Sequence, residues 1–178
     1  MTTLMQRSAA AALAAAAALT ATPAPAAARP ADPRPVRIQI PALKIDAPVI
    51  AVGLGPGGAL GTPAHTDAKS VAWYNRSAPP GTPGPTVMDG HIDTKRGPAV
   101  FIHLDRLSRG SRITLVRRDR KRVAYAVDAR RIVNKDRFPG TEVMADHHRP
   151  ELWLITCAAP YGRHAYVNNL IVHAHAVR

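Results

Sequence analysis

The chain of 178 residues holds one cysteine, Cys157, at the end of the apolar run Glu151-Leu-Trp-Leu-Ile-Thr-Cys157. A lone thiol is either a small buried hydrophobe or a reagent, since free cysteine ranks among the most buried residue types and is also an effective nucleophile. Here it stands where a strand-like run gives way to the small-residue stretch Ala158-Ala159-Pro160, with the hydroxyl of Thr156 beside it. A second run, Thr86-Val-Met-Asp-Gly-His91, ends in a histidine. A thiol and an imidazole, each carried by a strand end, are the parts of a cysteine nucleophile and its acid–base partner. Gly90 allows an unusual backbone turn just before the imidazole, and Asp89 and Asp93 offer carboxylates to hold one ring nitrogen.

A cysteine and a histidine titrating independently near 8.5 and 6.5 would both be ionised in only about 1% of molecules at pH 7. Such a pair needs a neighbouring positive charge to favour the thiolate. The other seven histidines lack the setting of His91. His147-His148 lie in a polar stretch, while His173 and His175 share one face of the last strand. With no second cysteine to complete a zinc set, these pairs imply no metal site, and no cofactor motif occurs.

The elements that must position the pair are short and β-rich. Period-two alternation starts at Val36-Arg-Ile-Gln-Ile40, and further strands are expected at 49–52, 72–74, 86–88, 112–116, 123–127, 131–133, 152–156 and 170–174. The charged turn Arg118-Asp-Arg-Lys121 joins two of them as a hairpin. Only residues 99–107 have helical spacing, through Val100, Phe101, Leu104 and Leu107. Gly/Pro-rich stretches such as Pro79-Pro-Gly-Thr-Pro-Gly-Pro85 punctuate the rest. The pattern is all-β, a barrel or sandwich of about eight strands with one or two short helices.

The amino terminus reads differently. Arg7 precedes an Ala/Leu run to Ala21, followed by Thr22-Pro-Ala-Pro-Ala-Ala-Ala28, which is the layout of a secretory signal ending near residue 28. The alternatives are a retained membrane anchor, for which the apolar run is short, and a cytoplasmic tail. Residues 29–35 continue a Pro/Ala-rich linker, leaving 36–178 as the folded domain. A net charge of +12 raises nucleic-acid binding, but the arginines are scattered and aromatics make up only 4% of residues, so no stacking platform or basic stripe is present. Attraction to an anionic cell envelope suits the same charge.

Several of these segments resemble one known family. Thr86-Val-Met-Asp-Gly-His-Ile-Asp-Thr94 is similar to the Gly-His-x-Asp segment of sortases, and Leu154-Ile-Thr-Cys157 to their Thr-Leu-x-Thr-Cys nucleophile motif, with Trp153 replacing the first Thr. Gly97-Pro-Ala-Val-Phe-Ile-His-Leu-Asp-Arg-Leu107 resembles the segment that follows the histidine in the actinobacterial class F group. The stretches 36–49, 134–139 and 166–174 match further landmarks in the same order. The resemblance implies a closed sortase-type barrel and a cysteine transpeptidase of the cell envelope, with Cys157 as nucleophile and His91 as general acid and base. It also implies as partners a Leu-Pro-x-Thr-Gly-like sorting signal and an amine acceptor, either cell-wall peptide or a pilin lysine. One position departs: Val167, in Tyr166-Val-Asn-Asn169, stands where the family carries arginine. The nearest substitute in the sequence is Arg163, in Tyr161-Gly-Arg-His164, as an oxyanion or substrate stabiliser. The departure also leaves open a domain that binds sorting signals without turnover. An L,D-transpeptidase has no support, because no Ser-x-Gly-Cys segment precedes the thiol.

Overall fold

The structure, a computed structural model, describes residues 31–145, 148–163 and 165–178. The signal or anchor expected over 1–28 lies outside them, as do His147 and His164. Ten strands follow in order: β1 (Pro35–Ile40), β2 (Ile45–Val52), β3 (Val71–Tyr74), β4 (Gly84–Asp89), β5 (Asp93–Thr94), β6 (Gly97–Pro98), β7 (Arg112–Arg117), β8 (Arg122–Asn134), β9 (Pro150–Tyr161) and β10 (Tyr166–Val177). Eight of them close a barrel in the order β1-β2-β3-β4-β9-β10-β8-β7, as expected from the sequence, and β5 and β6 form a separate two-stranded hairpin. The pairs β2–β3 and β4–β9 are parallel and the other barrel pairs antiparallel.

Alternation decides which side chains fill the barrel. Ile38 and Ile40 of β1, Met88 of β4, Ile113 and Leu115 of β7, Leu152 and Leu154 of β9, and Leu170 and Val172 of β10 form one continuous interior cluster. The intervening residues of the central strands are apolar too. Val87, Trp153, Ile155 and Ile171 point outward and are covered by Val143, with Phe138 packed against them. Val143 belongs to the one α-helical turn among the described residues, α1 (Gly140–Val143). Burial on both faces explains why β9 reads as an unbroken apolar run rather than an alternating one.

Two expectations change in the structure. The strands expected at 123–127 and 131–133 are one strand, β8, of 13 residues. Its pairing with β10 shifts where His173 faces Ala129 and Ala174 faces Val127, so Asp128 is the extra residue of a bulge. The polar stretch that looks like a break is therefore carried through the strand. Residues 99–107 are not a helix: Leu104–Arg106 form a single 3-10 turn in an otherwise irregular segment. Their spacing nonetheless marked a buried face, because Val100, Phe101, Leu104 and Leu107 all enter the barrel core. The α-helical turn sits instead at Gly140–Val143, where the sequence shows no helical period.

Candidate active site

The parallel pairing of β4 with β9 sets the site. Its last rung joins Asp89 to Ile155. Two residues further along each chain come His91 and Cys157. Beyond the rung, the Gly90 N–H donates to the Ile155 carbonyl at 3.2 Å, and the Thr156 hydroxyl donates to the Gly90 carbonyl at 2.7 Å. Thr156 is buried and, by alternation along β9, points into the barrel while Cys157 points out. The hydroxyl that stands beside the thiol in sequence thus ties the two reactive strands together and does not act on the sulfur.

Cys157 and His91 both line one open cleft of about 920 Å³, on the outer face of the barrel at its rim. Thr62, His65, Asp89, Lys135, Tyr161 and Tyr166 are among the residues that share it. The thiol is half-buried and unpaired. The His91 ring is held on its far side, where Nε2 lies 2.7 Å from the Pro63 carbonyl oxygen. A carbonyl only accepts, so Nε2 carries the hydrogen, and in the neutral ring the basic nitrogen is Nδ1. His65 stacks on the imidazole with centroids 4.7 Å apart. Neither flanking aspartate takes the expected orienting role: Asp93 accepts the Tyr166 hydroxyl at 2.5 Å, and the ring nitrogen belongs to Pro63.

Gly90 serves a different purpose from the one its sequence position suggests. Its φ is not in the left-handed region. A Cβ there would lie 2.6 Å from the Phe101 ring, so the residue is small because that buried ring packs against the backbone beneath His91. The Phe101 N–H also donates to the His91 carbonyl at 2.9 Å. The 97–107 segment is therefore the floor under the imidazole.

The cation nearest the sulfur is one the sequence did not single out. Lys135 Nζ lies 3.5 Å from Cys157 Sγ. It follows β8 directly, on a 3-10 turn (Lys135–Arg137) capped by the Asn134 side chain, which accepts from the Asp136 N–H at 2.8 Å. Asp89, whose side chain points to the same face, is pushed up from its ordinary value near 3.8 to about 7 by burial, with the charge of Lys135 pulling it partly back. Arg163 sits elsewhere, on the exposed bend between β9 and β10, and is not among the residues lining the cleft. Val167 is also exposed, and packs against Gly162, where an added Cβ would come within 2.8 Å of its Cγ1. The only sequence signal for Lys135 was its place in the stretch 134–139, adjoining the end of a strand.

A family profile described as "Sortase domain" matches residues 38–177. Among solved structures, a lid mutant of sortase A from Corynebacterium diphtheriae is 26% identical, with a TM-score of 0.63 over 82% of this chain and 72% of that one. Sortase C1 from Streptococcus agalactiae is 23% identical, with a TM-score of 0.63 over 86% of this chain and 71% of that one. Sortase C-1 from Actinomyces oris is also 23% identical, with a TM-score of 0.62 over 80% and 73% of the two chains. These last two likenesses concern the fold. No curated protein matches the chain significantly.

Proposed function

Since the chain belongs to the sortase family, we propose that it is an active cysteine transpeptidase of the class F type, working on sorting signals at the cell envelope. The observation that carries this reading is that Cys157 of β9 and His91, two residues past the end of the parallel strand β4, open onto the same cleft. Cys157 Sγ attacks the Thr–Gly carbonyl of a Leu-Pro-x-Thr-Gly-like signal. A carbon–sulfur bond forms, the carbon–nitrogen bond breaks, and protonated His91 gives its Nδ1 proton to the leaving amine. Nδ1 then takes a proton from the incoming amine, cell-wall peptide or pilin lysine, as that nitrogen displaces the thiolate. The hydrogen bond from Nε2 to Pro63 leaves Nδ1 as the nitrogen that cycles between the two states. The Arg7–Ala28 segment supports export or anchoring, which puts this domain on the outer side of the cytoplasmic membrane.

The test is mass spectrometry of the protein after mixing with a Leu-Pro-x-Thr-Gly peptide. A transpeptidase gains the mass of the peptide up to its Thr residue, on Cys157, and releases the Gly-containing fragment, while Cys157→Ala gains nothing. Binding of the peptide with neither adduct nor fragment would refute turnover and leave a domain that only recognises the signal.

A further inference from the structure

We infer that Lys135 is a catalytic residue, the cation that keeps Cys157 in its thiolate form, supplied from the strand next to the one on which the family resemblance places an arginine. The inference rests on the reading of Cys157 as the nucleophile. Its geometric basis is the order β9-β10-β8. Cys157 of β9 pairs with Asn169 of β10, and Asn169 pairs on its other side with Val133 of β8. Ile155 and Ile171 mark the outer face of their strands, and Val133 packs against the same outer cluster. Alternation therefore puts Cys157, Asn169 and Val133 on one outward rung; Lys135 follows two residues beyond Val133, on the 3-10 turn after β8, and its ammonium lies on that face.

The last rung between β8 and β10 is Asn134 with Asn168; Val167 precedes it on β10 and Lys135 follows it on the 3-10 turn after β8. Valine is short and carries no charge. The Lys135 ammonium, from the far side of β10, ends 3.5 Å from the sulfur. An ammonium at that range is an N–H donor as well as a charge, and both favour thiolate over thiol. Lys135 is exposed and the thiol half-buried, so water screens the pair, and the expected effect on alkylation is modest, roughly five- to tenfold. The competing cation, Arg163, is on an exposed bend outside the residues that line the cleft.

The experiment is the rate at which Cys157 is alkylated by iodoacetamide at pH 7, in wild type, Lys135→Met, Lys135→Gln, Lys135→Arg and Arg163→Ala. Iodoacetamide is neutral, so its rate follows the thiolate rather than attraction of the reagent. Lys135→Met should react roughly five- to tenfold more slowly than wild type, Lys135→Gln likewise, and Lys135→Arg within about threefold of wild type, with peptide turnover falling in step with alkylation. Lys135 is exposed, so these variants should melt near the wild-type temperature; if the Met variant does not fold, the Gln variant gives the same answer. Alkylation of both variants within about twofold of wild type would overturn the inference, as would a tenfold loss in Arg163→Ala instead. The outcome is separable from that of the transpeptidase reading. Slower alkylation with no peptide adduct on the wild type upholds Lys135 and removes turnover, whereas unchanged alkylation with a normal adduct removes Lys135 alone.

Discussion

Asp89 gives the sharpest physical test of the cleft. It ends β4 with its side chain facing the site, and burial raises it from 3.8 to about 7. A carboxyl whose folded value is raised binds more protons in the folded than in the unfolded state, so stability falls as pH climbs from about 4 to about 7 and stays reduced above that. The interval is about three pH units, which at about 1.4 kcal/mol each sets a ceiling of roughly 4 kcal/mol. The side chain keeps a partial opening to the cleft, and water there screens the charge, so roughly half the ceiling, about 2 kcal/mol, is the expected cost at pH 8. Asp89→Asn removes the ionisation while keeping size and shape. Urea unfolding of both proteins should show the variant more stable by about 1 kcal/mol at pH 4.5, where the unfolded carboxyl is already mostly ionised, and by about 2 kcal/mol at pH 8. A difference that is the same at both pH values would show that Asp89 does not carry a buried charge. A variant less stable at pH 8 than at pH 4.5, relative to wild type, would reverse the sign of the argument.

Two further outcomes follow from the positions of His91 and Gly90. His91→Ala should lower peptide turnover by about 10²–10⁴ through loss of the proton donor and acceptor, measured as steady-state cleavage of a fluorogenic sorting peptide. Gly90→Ala should destabilise the protein by about 1–3 kcal/mol in urea, because its Cβ collides with the buried Phe101 ring, and Phe101→Leu in the same chain should recover part of that loss.

The closed barrel was legible because its signal is carried by short runs bounded by Gly/Pro turns, alternating in β1 and continuously apolar in β9, where both faces are buried. Cys157 and His91 were legible because both close apolar runs in the sequence, although β9 itself continues past Cys157 to Tyr161 and only His91 lies beyond its strand. What the sequence could not show depends on contacts across strands. The second layer over β9 appears only when Phe138 and Val143 fold back on Trp153 and Ile155. The holder of the imidazole is a backbone carbonyl 28 residues earlier, at Pro63, and a carbonyl has no residue type to read. Asp128 looks like a break because bulges leave no period. Of the two candidate orienting aspartates, Asp93 is taken by Tyr166. Lys135 was hidden because proximity in sequence to the thiol favours Arg163, six residues away, whereas strand order favours a residue 22 positions earlier.

That last contrast yields a prediction about what the site requires. If the requirement is a cation over the sulfur, its strand of origin is immaterial, and the charge can be moved back to β10. Val167 stands one residue before the last β8–β10 rung, Asn134 with Asn168, and at 37% exposure it leaves space for a longer side chain. Val167→Arg placed in the Lys135→Met protein should therefore restore at least half of the lost alkylation rate, on a logarithmic scale, together with turnover. In the wild-type background the same change adds a second cation to a thiol that already has one. The ammonium and guanidinium repel each other there, so the gain should be smaller than in the Lys135→Met background. The double-mutant cycle reads this directly: a coupling of about 0.5–1.5 kcal/mol between positions 135 and 167 is the signature of two groups serving one sulfur. Additive effects would mean that the two positions act on different things, and that the cation in this cleft is tied to Lys135 by more than its charge.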